Sequence, residues 1–521
     1  MTVATKITYT STSGDLEQFH LRFDAALARV RENSGQLHPF YIDGRATESS
    51  EEPLEDRSPI DGGLLARFAA ATAAHVEQAI RAAKRDQPAW GGLPWRERVE
   101  LLRRAAGLIR ERRYELAALM SLEVGKSRLE AMGDAEESAD LIDYYCQQVA
   151  DADGFVRTMA RITPAEHNTD VLRPYGVFAC IAPFNFPLAL SAGMSSAALV
   201  AGNAVVYKPA EDTPWTGLEL YRVYRDAGIP PGVFHLLVGR REQIGDPLWQ
   251  HPEVDGVVFT GSKQVGLRIH AGMSSRWIKP ALLELGGKNA TTVLGSADLD
   301  AAAEGVMRSA FSLQNQKCSA TSRVYIERPV FHEFIAKLIE KTRAIRMGDP
   351  TERDVFFGPV INQRAVERFE QAVSQARREG TILLGGSRLR GGVFDRGLFV
   401  APTIAELPLD SSLFQDELFV PFLAVAPVEN LEQAIRETNR VEYGLTAGVF
   451  SGNPTEITRF FDEVEAGVCY ANKRTGATTG AWPGAQPFCG WKGSGSTGKG
   501  GCGPYYVAQF MREQSRTVIE A

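Results

Sequence analysis

The sequence predicts an α/β protein made of two doubly wound domains, each a largely parallel sheet flanked by helices. Length is the first reason, since 521 residues exceed what one ordinary hydrophobic core organises. The second is a strand–helix rhythm that begins at Val177, and the third is its continuation to about residue 470, enough for another domain of the same class.

Residues 1 to about 70 mix polar segments with Pro and Gly and read as an extension that packs on the surface before the first regular helices. Between Trp95 and Met120 a helix is predicted, because Val99, Leu102, Ala106, Ile109, Leu116 and Met120 recur at three-, four- or seven-residue spacing with Arg and Glu opposite. From Val177 the apolar run VFACIA is followed by LALSAGMSSAALVAG, AVVYK, WTGLELYRVYRDAG and VFHLLV. A further strand, GVVF at Gly256 to Phe259, runs through Thr260-Gly261-Ser262 into a helix beginning near Lys263. Ligands of such sheets gather at the C-terminal ends of the strands. Beyond Glu284-Leu285-Gly286-Gly287-Lys288 the alternation goes on with helices such as HEFIAKLIEKTRAI and strands such as GVCYAN. The last segment, YYVAQFMREQSRTVIE, has the composition of a strand that joins another subunit.

Hydrophobic residues at 44% and charged residues at 23% describe an ordinary globular protein, and a net charge of −7 leaves no basic stripe for a nucleic-acid backbone. A small-molecule substrate is expected, with no nucleic acid and no membrane. No apolar run reaches the roughly 18 residues of a bilayer crossing, and MTVATKITYTSTSGD lacks the layout of a secretory signal, so the expected location is the cytoplasm. The six cysteines form no CxxC pair, which argues against a metal site and against a disulfide framework. Cys146, Cys180 and Cys469 read as small buried hydrophobes.

Gly493-Ser494-Gly495-Ser496-Thr497-Gly498 matches G-x-G-x-x-G literally and leads to Lys499. Phosphate loops need a strand before and a helix after; here PFCGWK precedes and GGCGP follows, which fits a glycine turn. Phe259-Thr260-Gly261-Ser262 is the better dinucleotide candidate, since it ends a strand and opens a helix whose free N–H groups can receive a pyrophosphate. A plain N-cap at Ser262 fits the same residues. Glu284 puts one carboxylate inside an apolar run, and Gln316-Lys317-Cys318-Ser319-Ala320 puts a thiol beside a lysine and small residues. Each alone is as compatible with a structural role.

Taken together, APFNFP (182–187), VYKPAE (206–211), FTGS, LELGGK, QKCS, DELF (416–419) and QPFCGWKGSG (486–495) resemble the aldehyde dehydrogenase superfamily in order and spacing, over essentially the whole chain from about residue 40. The resemblance implies two doubly wound domains plus a small β oligomerisation flap. It divides the chain into an N-terminal extension (1–40), an NAD-binding domain (41–150 and 171–282), a catalytic domain (283–484) and bridging segments (151–170 and 485–521). It implies Cys318 as covalent nucleophile, Glu284 as general base and the Asn185 amide, with the Cys318 N–H, as oxyanion donors. The implied cofactor is NAD, with Ile181, Pro183, Phe184, Gly261 and Leu285 around it. Lys208 and Glu211 would hold the adenosine ribose, Ser262 the pyrophosphate, and Glu417 with Phe419 the nicotinamide ribose. A carboxylate at Glu211 repels a 2′-phosphate and so favours NAD over NADP. Val420 replaces the usual glycine after DELF.

Within the superfamily, Thr479-Gly480-Ala481 followed by Gln486-Pro487-Phe488, together with KCSA at 317–320, resembles the subfamily that oxidises L-glutamate γ-semialdehyde, the 1-pyrroline-5-carboxylate dehydrogenases. That resemblance implies an α-carboxylate received by the N–H groups of Gly480 and Ala481 and by the Ser319 hydroxyl. Phe186 and Phe488 would sandwich the methylenes, and Glu137 would meet the α-ammonium, although an exposed helix charge beside Glu136 fits that position too. Cys489 stands where the subfamily has glycine, and the tail GSTGKGGCGPYY is unusually glycine-rich. Other semialdehydes remain the alternative substrates. A catalytically silent homologue would lack the nucleophile or the base, and both are present. The implied assembly is a homodimer or higher homo-oligomer.

Overall fold

The computed structural model describes residues 16–274, 277–476 and 482–520. Its first sheet carries, in spatial order, the parallel strands Ala281–Glu284, Gly256–Thr260, Val177–Ile181, Ala204–Lys208 and Phe234–Leu236. These strands are rich in Val, Ala and Phe and mostly buried, as a sheet covered by helices on both faces requires. An antiparallel hairpin, Phe40–Ile42 with Arg45–Thr47, extends the far edge. Its turn, Asp43-Gly44, has φ of 54° and 73°, the double left-handed geometry that favours Asp-Gly.

Helices Trp95–Val124 and Arg128–Asp151 form an antiparallel pair beside this sheet. Gly125 turns the chain between them at φ 83°, and any Cβ there would lie 2.8 Å from Pro359. The second helix begins on Ser127, whose hydroxyl accepts from the Glu130 N–H, and it carries Glu137, Leu141 and Tyr145 at four-residue intervals on one face. That face looks into the catalytic cavity described below.

The second sheet holds Thr381–Leu384, Thr403–Glu406, Phe422–Val428, Thr321–Glu327, Asn289–Val293, Thr446–Phe450 and Val468–Ala471 in spatial order, parallel except at the first strand. Arg323 lies across it fully buried, donating to the carbonyls of Lys288, Glu437 and Thr438 and to the Tyr325 hydroxyl. A third, antiparallel sheet joins Val156–Thr158, Glu166–Pro174 and Met511–Ile519, the last strand running exposed for nearly all its length.

Three expectations need adjustment. The N-terminal extension is not irregular: Glu17–Glu32 is a helix that buries Phe19, Phe23, Ala26, Leu27 and Val30, and Asp24 on it pairs with Arg128 at 2.6 Å. The strand Ala281–Glu284 pairs with Gly256–Thr260 throughout, so a boundary at 282/283 would cut through the first sheet; the sheets change at 285–288 instead. The bridging strand likewise continues past 170 to Pro174, because Met511–Ile519 pairs with it residue by residue.

Replacing Arg323 by Met would leave the buried carbonyls of Lys288 and Thr438 without this donor, while Glu437 keeps the Tyr325 hydroxyl, a loss of about 2–4 kcal/mol. A thermal melt followed by circular dichroism should therefore show Arg323→Met unfolding several degrees below the parent protein. An unchanged melting temperature would contradict this account of the second sheet.

Candidate active site

Cys318 sits on a tight turn between two pieces of rigid structure. Before it, Leu313, Gln314 and Asn315 all have left-handed backbone, with φ of 47°, 55° and 61°. Such strain persists only where surroundings over-determine it. Here Asn315 donates to the carbonyls of Ala310 and Thr321, and the Gln316 side chain accepts from the Ile361 N–H at 2.9 Å. After the turn, Thr321 starts a buried strand. The Cys318 carbonyl is held by Asn289 Nδ2 at 2.7 Å, and the same amide nitrogen reaches the Ala320 carbonyl at 2.8 Å. Asn289 Oδ1 accepts from the Thr446 N–H. The sequence reading missed Asn289; its place directly after the LELGGK motif was the available signal.

Glu284 ends the outermost strand of the first sheet. Its main chain is pinned by Gly261 N–H, which donates to its carbonyl at 3.1 Å, and by a bridge to Gly495. The carboxyl accepts from the Gly501 N–H, while Oε2 is buried and has no hydrogen-bond partner among the described residues. Burial pushes this carboxyl up to about 8. Burial also pushes the Cys318 thiol up to about 12, with the nearby charges of Glu417 and Glu284 adding to the effect. Burial thus favours the neutral form of both groups, and once ionised the carboxylate, with an orphaned oxygen beside a cavity, is suited to accept a proton from water.

A cavity of about 90 Å³ unites these groups. Cys318, Ser319, Glu284, Phe186, Phe488 and Glu137 all line it, so helix packing turns Glu137 toward the cavity, whereas Glu136 pairs with Arg113 and stays half-buried outside it. Tyr145, Tyr506 and Cys502 complete its wall and were not anticipated. Of the two cysteines in the glycine-rich tail it is Cys502 that faces the substrate space; Cys489 Sγ points at the Gly467 carbonyl, 3.2 Å away. Asn185 is buried, and its amide nitrogen donates to the Gln316 carbonyl at 2.9 Å, which ties it to the nucleophile turn. Gly480 and Ala481 lie outside the described residues.

A larger cleft of about 820 Å³ opens at the C-terminal ends of the first sheet, lined by Ile181, Lys208, Glu211, Ser262, Arg241 and Arg364 among others. Ser262 both lines this cleft and caps the helix Lys263–Gly272 by accepting from the Val265 N–H. Glu211 accepts from the Arg241 N–H at 2.6 Å. Pro183 and Phe184 follow the strand Val177–Ile181, and Phe184 meets Phe419 edge to face at 5.9 Å between ring centres. Glu417 accepts from the Gly287 N–H at 2.9 Å. Pro183, Phe184, Gly261, Leu285, Glu417 and Phe419 are not among the residues that line this cleft; Leu285 is buried against Gly266, and the Phe259 ring stands against Gly261. Val420 is fully buried in the second core, so its side chain is absorbed by packing.

A wide cleft at the strand ends of the first sheet and a thiol in a separate small cavity suit a dehydrogenase, and the comparisons with known proteins give the class. The aldehyde dehydrogenase family matches residues 46–515, and the chain belongs to that family. It is 35% identical over 505 residues to 1-pyrroline-5-carboxylate dehydrogenase 1 of Halalkalibacterium halodurans, covering 96% of each protein, and 34% identical to the 1-pyrroline-5-carboxylate dehydrogenase of Geobacillus sp., again covering 96% of each. A solved structure of 1-pyrroline-5-carboxylate dehydrogenase from Thermus with bound NAD superposes with a TM-score of 0.93 at 33% identity, each chain covered completely. No helix of the described residues is long and apolar enough to cross a membrane.

Gly500 tests the geometry around the base. A Cβ there would stand 1.6 Å from the Phe488 carbonyl oxygen and 2.5 Å from Glu284 Oε1. Gly500→Ala should lower kcat/KM at least about tenfold, the cost of a misplaced reacting group. A fully active Gly500→Ala enzyme would show that Glu284 is not held where the model of the site requires it.

Proposed function

We propose that the protein oxidises L-glutamate γ-semialdehyde, the open form of 1-pyrroline-5-carboxylate, to L-glutamate with NAD, the second oxidation of proline breakdown. The observation that carries this is one small cavity holding the Cys318 thiol, the buried Glu284 carboxyl, two phenyl rings and an inward-facing Glu137. The family membership and the activities named for its relatives support the same reading.

The chemistry follows from the groups present. The Cys318 thiol gives up its proton to water, and its sulfur adds to the aldehyde carbon, turning a planar carbonyl into a tetrahedral thiohemiacetal that can release hydride. Asn185 and the Cys318 N–H are the donors for the developing oxyanion. NAD, when bound, supplies the hydride acceptor. The remaining thioester is cleaved by water, whose proton passes to Glu284 while the thiol leaves, so that acid and NADH are the products. Lys208 and Glu211 fit the adenosine ribose, the helix start at Ser262 fits the pyrophosphate, and Glu417 with Phe419 fits the nicotinamide ribose; the cleft's size and its polar ends suit a dinucleotide. For the substrate, Phe186 and Phe488 flank the methylenes, Ser319 serves the α-carboxylate and Glu137 the α-ammonium.

The protein works as a homodimer or larger homo-oligomer through the antiparallel flap, where Val518 and Ile519 are each 62% exposed. All six cysteines are free, which suits the reducing cytoplasm.

Two outcomes check this reading. On a panel of aldehydes, kcat/KM should be highest for L-glutamate γ-semialdehyde and fall about a hundredfold or more for the analogue without the α-amino group, as expected when buried polar partners lose their ligand; equal rates across the panel would exclude the assignment. Because Glu284 acts as the carboxylate and burial has raised it to about 8, the hydrolytic step should speed up as pH rises toward 8 and slow below it. Glu284→Gln should abolish that dependence while leaving a first-turnover burst of NADH.

A further inference from the structure

Lys288 closes the LELGGK segment, and the chemistry above does not use it. It is 1% exposed, and among the described residues its ammonium nitrogen has no hydrogen-bond partner. A buried cation without an acceptor is costly and persists only where nearby opposite charge or a ligand offsets the loss of water. Its main chain is fixed, since the Lys288 carbonyl accepts from Arg323 Nε at 2.7 Å and Gly287, one residue earlier, donates its N–H to Glu417 Oε1. After burial, the charge that acts most on Lys288 is that of Arg323, which opposes its ammonium; Glu417 and then Asp416 favour it. Around Glu417 stand Lys288, Arg368 and Lys263, and the Cys318 thiol and Tyr443 hydroxyl feel its charge.

We propose that Lys288 is a positioning residue for the nicotinamide half of the cofactor: from inside the protein its positive charge holds Glu417 as the carboxylate, turned to accept the ribose hydroxyls. The inference rests on the NAD reading above. Gly286 leaves the room for this arrangement, because a Cβ there would come within 2.0 Å of Glu417 Oε2. Burial pushes the Glu417 carboxyl up to about 7 and the Lys288 ammonium down to about 7, so near neutrality each charge is maintained by its neighbours. Without the ammonium, Glu417 takes up a proton at higher pH. A protonated acid is a weaker acceptor than a carboxylate, so ribose binding fails first at low pH.

The test is equilibrium NADH binding, read by nucleotide fluorescence, for the parent protein, Lys288→Gln, Glu417→Gln and the double variant between about pH 6 and about pH 9. Lys288→Gln should bind NADH about fivefold more weakly at pH 7, with the deficit approaching about tenfold toward pH 6 and vanishing toward pH 9, the size expected from a shift of about one pH unit in the Glu417 carboxyl from its value of about 7. In the Glu417→Gln background the same substitution should change binding less than about twofold. Equal loss in both backgrounds, a loss independent of pH, or no loss would overturn the proposal. Should Lys288→Gln not fold, the parent and Glu417→Gln decide: parent binding must weaken below about pH 7 and Glu417→Gln must be flat, and a flat parent profile overturns the role of the charge. If the parent protein fails to bind NADH at all, the cofactor reading falls and this inference with it. Tight parent binding without coupling between 288 and 417 overturns only the inference.

Discussion

Between Glu284 and Asn289 the chain passes from one sheet to the other in the four residues 285–288, and the reactive groups depend on that short crossing. At its near end the last residue of the first sheet is Glu284, the proposed base. At its far end the first residue of a central strand of the second sheet holds the nucleophile's carbonyl. The glycines between them cannot be enlarged: a Cβ at Gly286 meets the Glu417 carboxylate, and one at Gly287 stands 2.5 Å from the Cys318 carbonyl oxygen. Glu284, the Cys318 turn and Glu417 are therefore fixed relative to one another by a span too short and too crowded to slacken.

The second consequence of this crowding is electrostatic. Lys288 is buried and Glu284, Glu417 and Cys318 are largely enclosed, so the loss of water moves each of them toward its neutral form. A site built this way is quiet until a ligand or a neighbour supplies compensating charge. That property suits an enzyme whose thiol must attack an aldehyde and not remain exposed as a thiolate. The walls reinforce it, since Tyr145, Tyr506, Phe186 and Phe488 leave a narrow space for a short aliphatic chain.

The sheets and their helices were legible in the sequence, and Cys318, Glu284 and Asn185 stood out in it as candidates, because each lies in a contiguous segment with its own pattern. What was not legible depends on packing between distant segments. Glu136 and Glu137 differ by one helix step, and only the seating of Arg128–Asp151 against the tail decides which of them turns inward. Tyr145 and Tyr506 look like ordinary core aromatics until the helix and the tail meet. Leu285 follows the base in sequence yet packs away from the cofactor cleft, since a strand end sends neighbouring side chains in opposite directions. The helix Glu17–Glu32 was overlooked despite Phe19, Phe23, Ala26 and Val30 at three- and four-residue spacing, because Leu16 supplies no side-chain cap and the surrounding residues are polar.

The claim that everything else serves is a covalent bond between Cys318 and the substrate's carbonyl carbon. Rapid acid quenching of the enzyme during turnover with NAD and L-glutamate γ-semialdehyde, followed by mass spectrometry of the peptide that contains Cys318, measures that bond directly. The account predicts a thioester carrying the glutamyl group on Cys318, accumulating most in Glu284→Gln. NADH formed at the full rate with Cys318 unmodified at every quench time would contradict it.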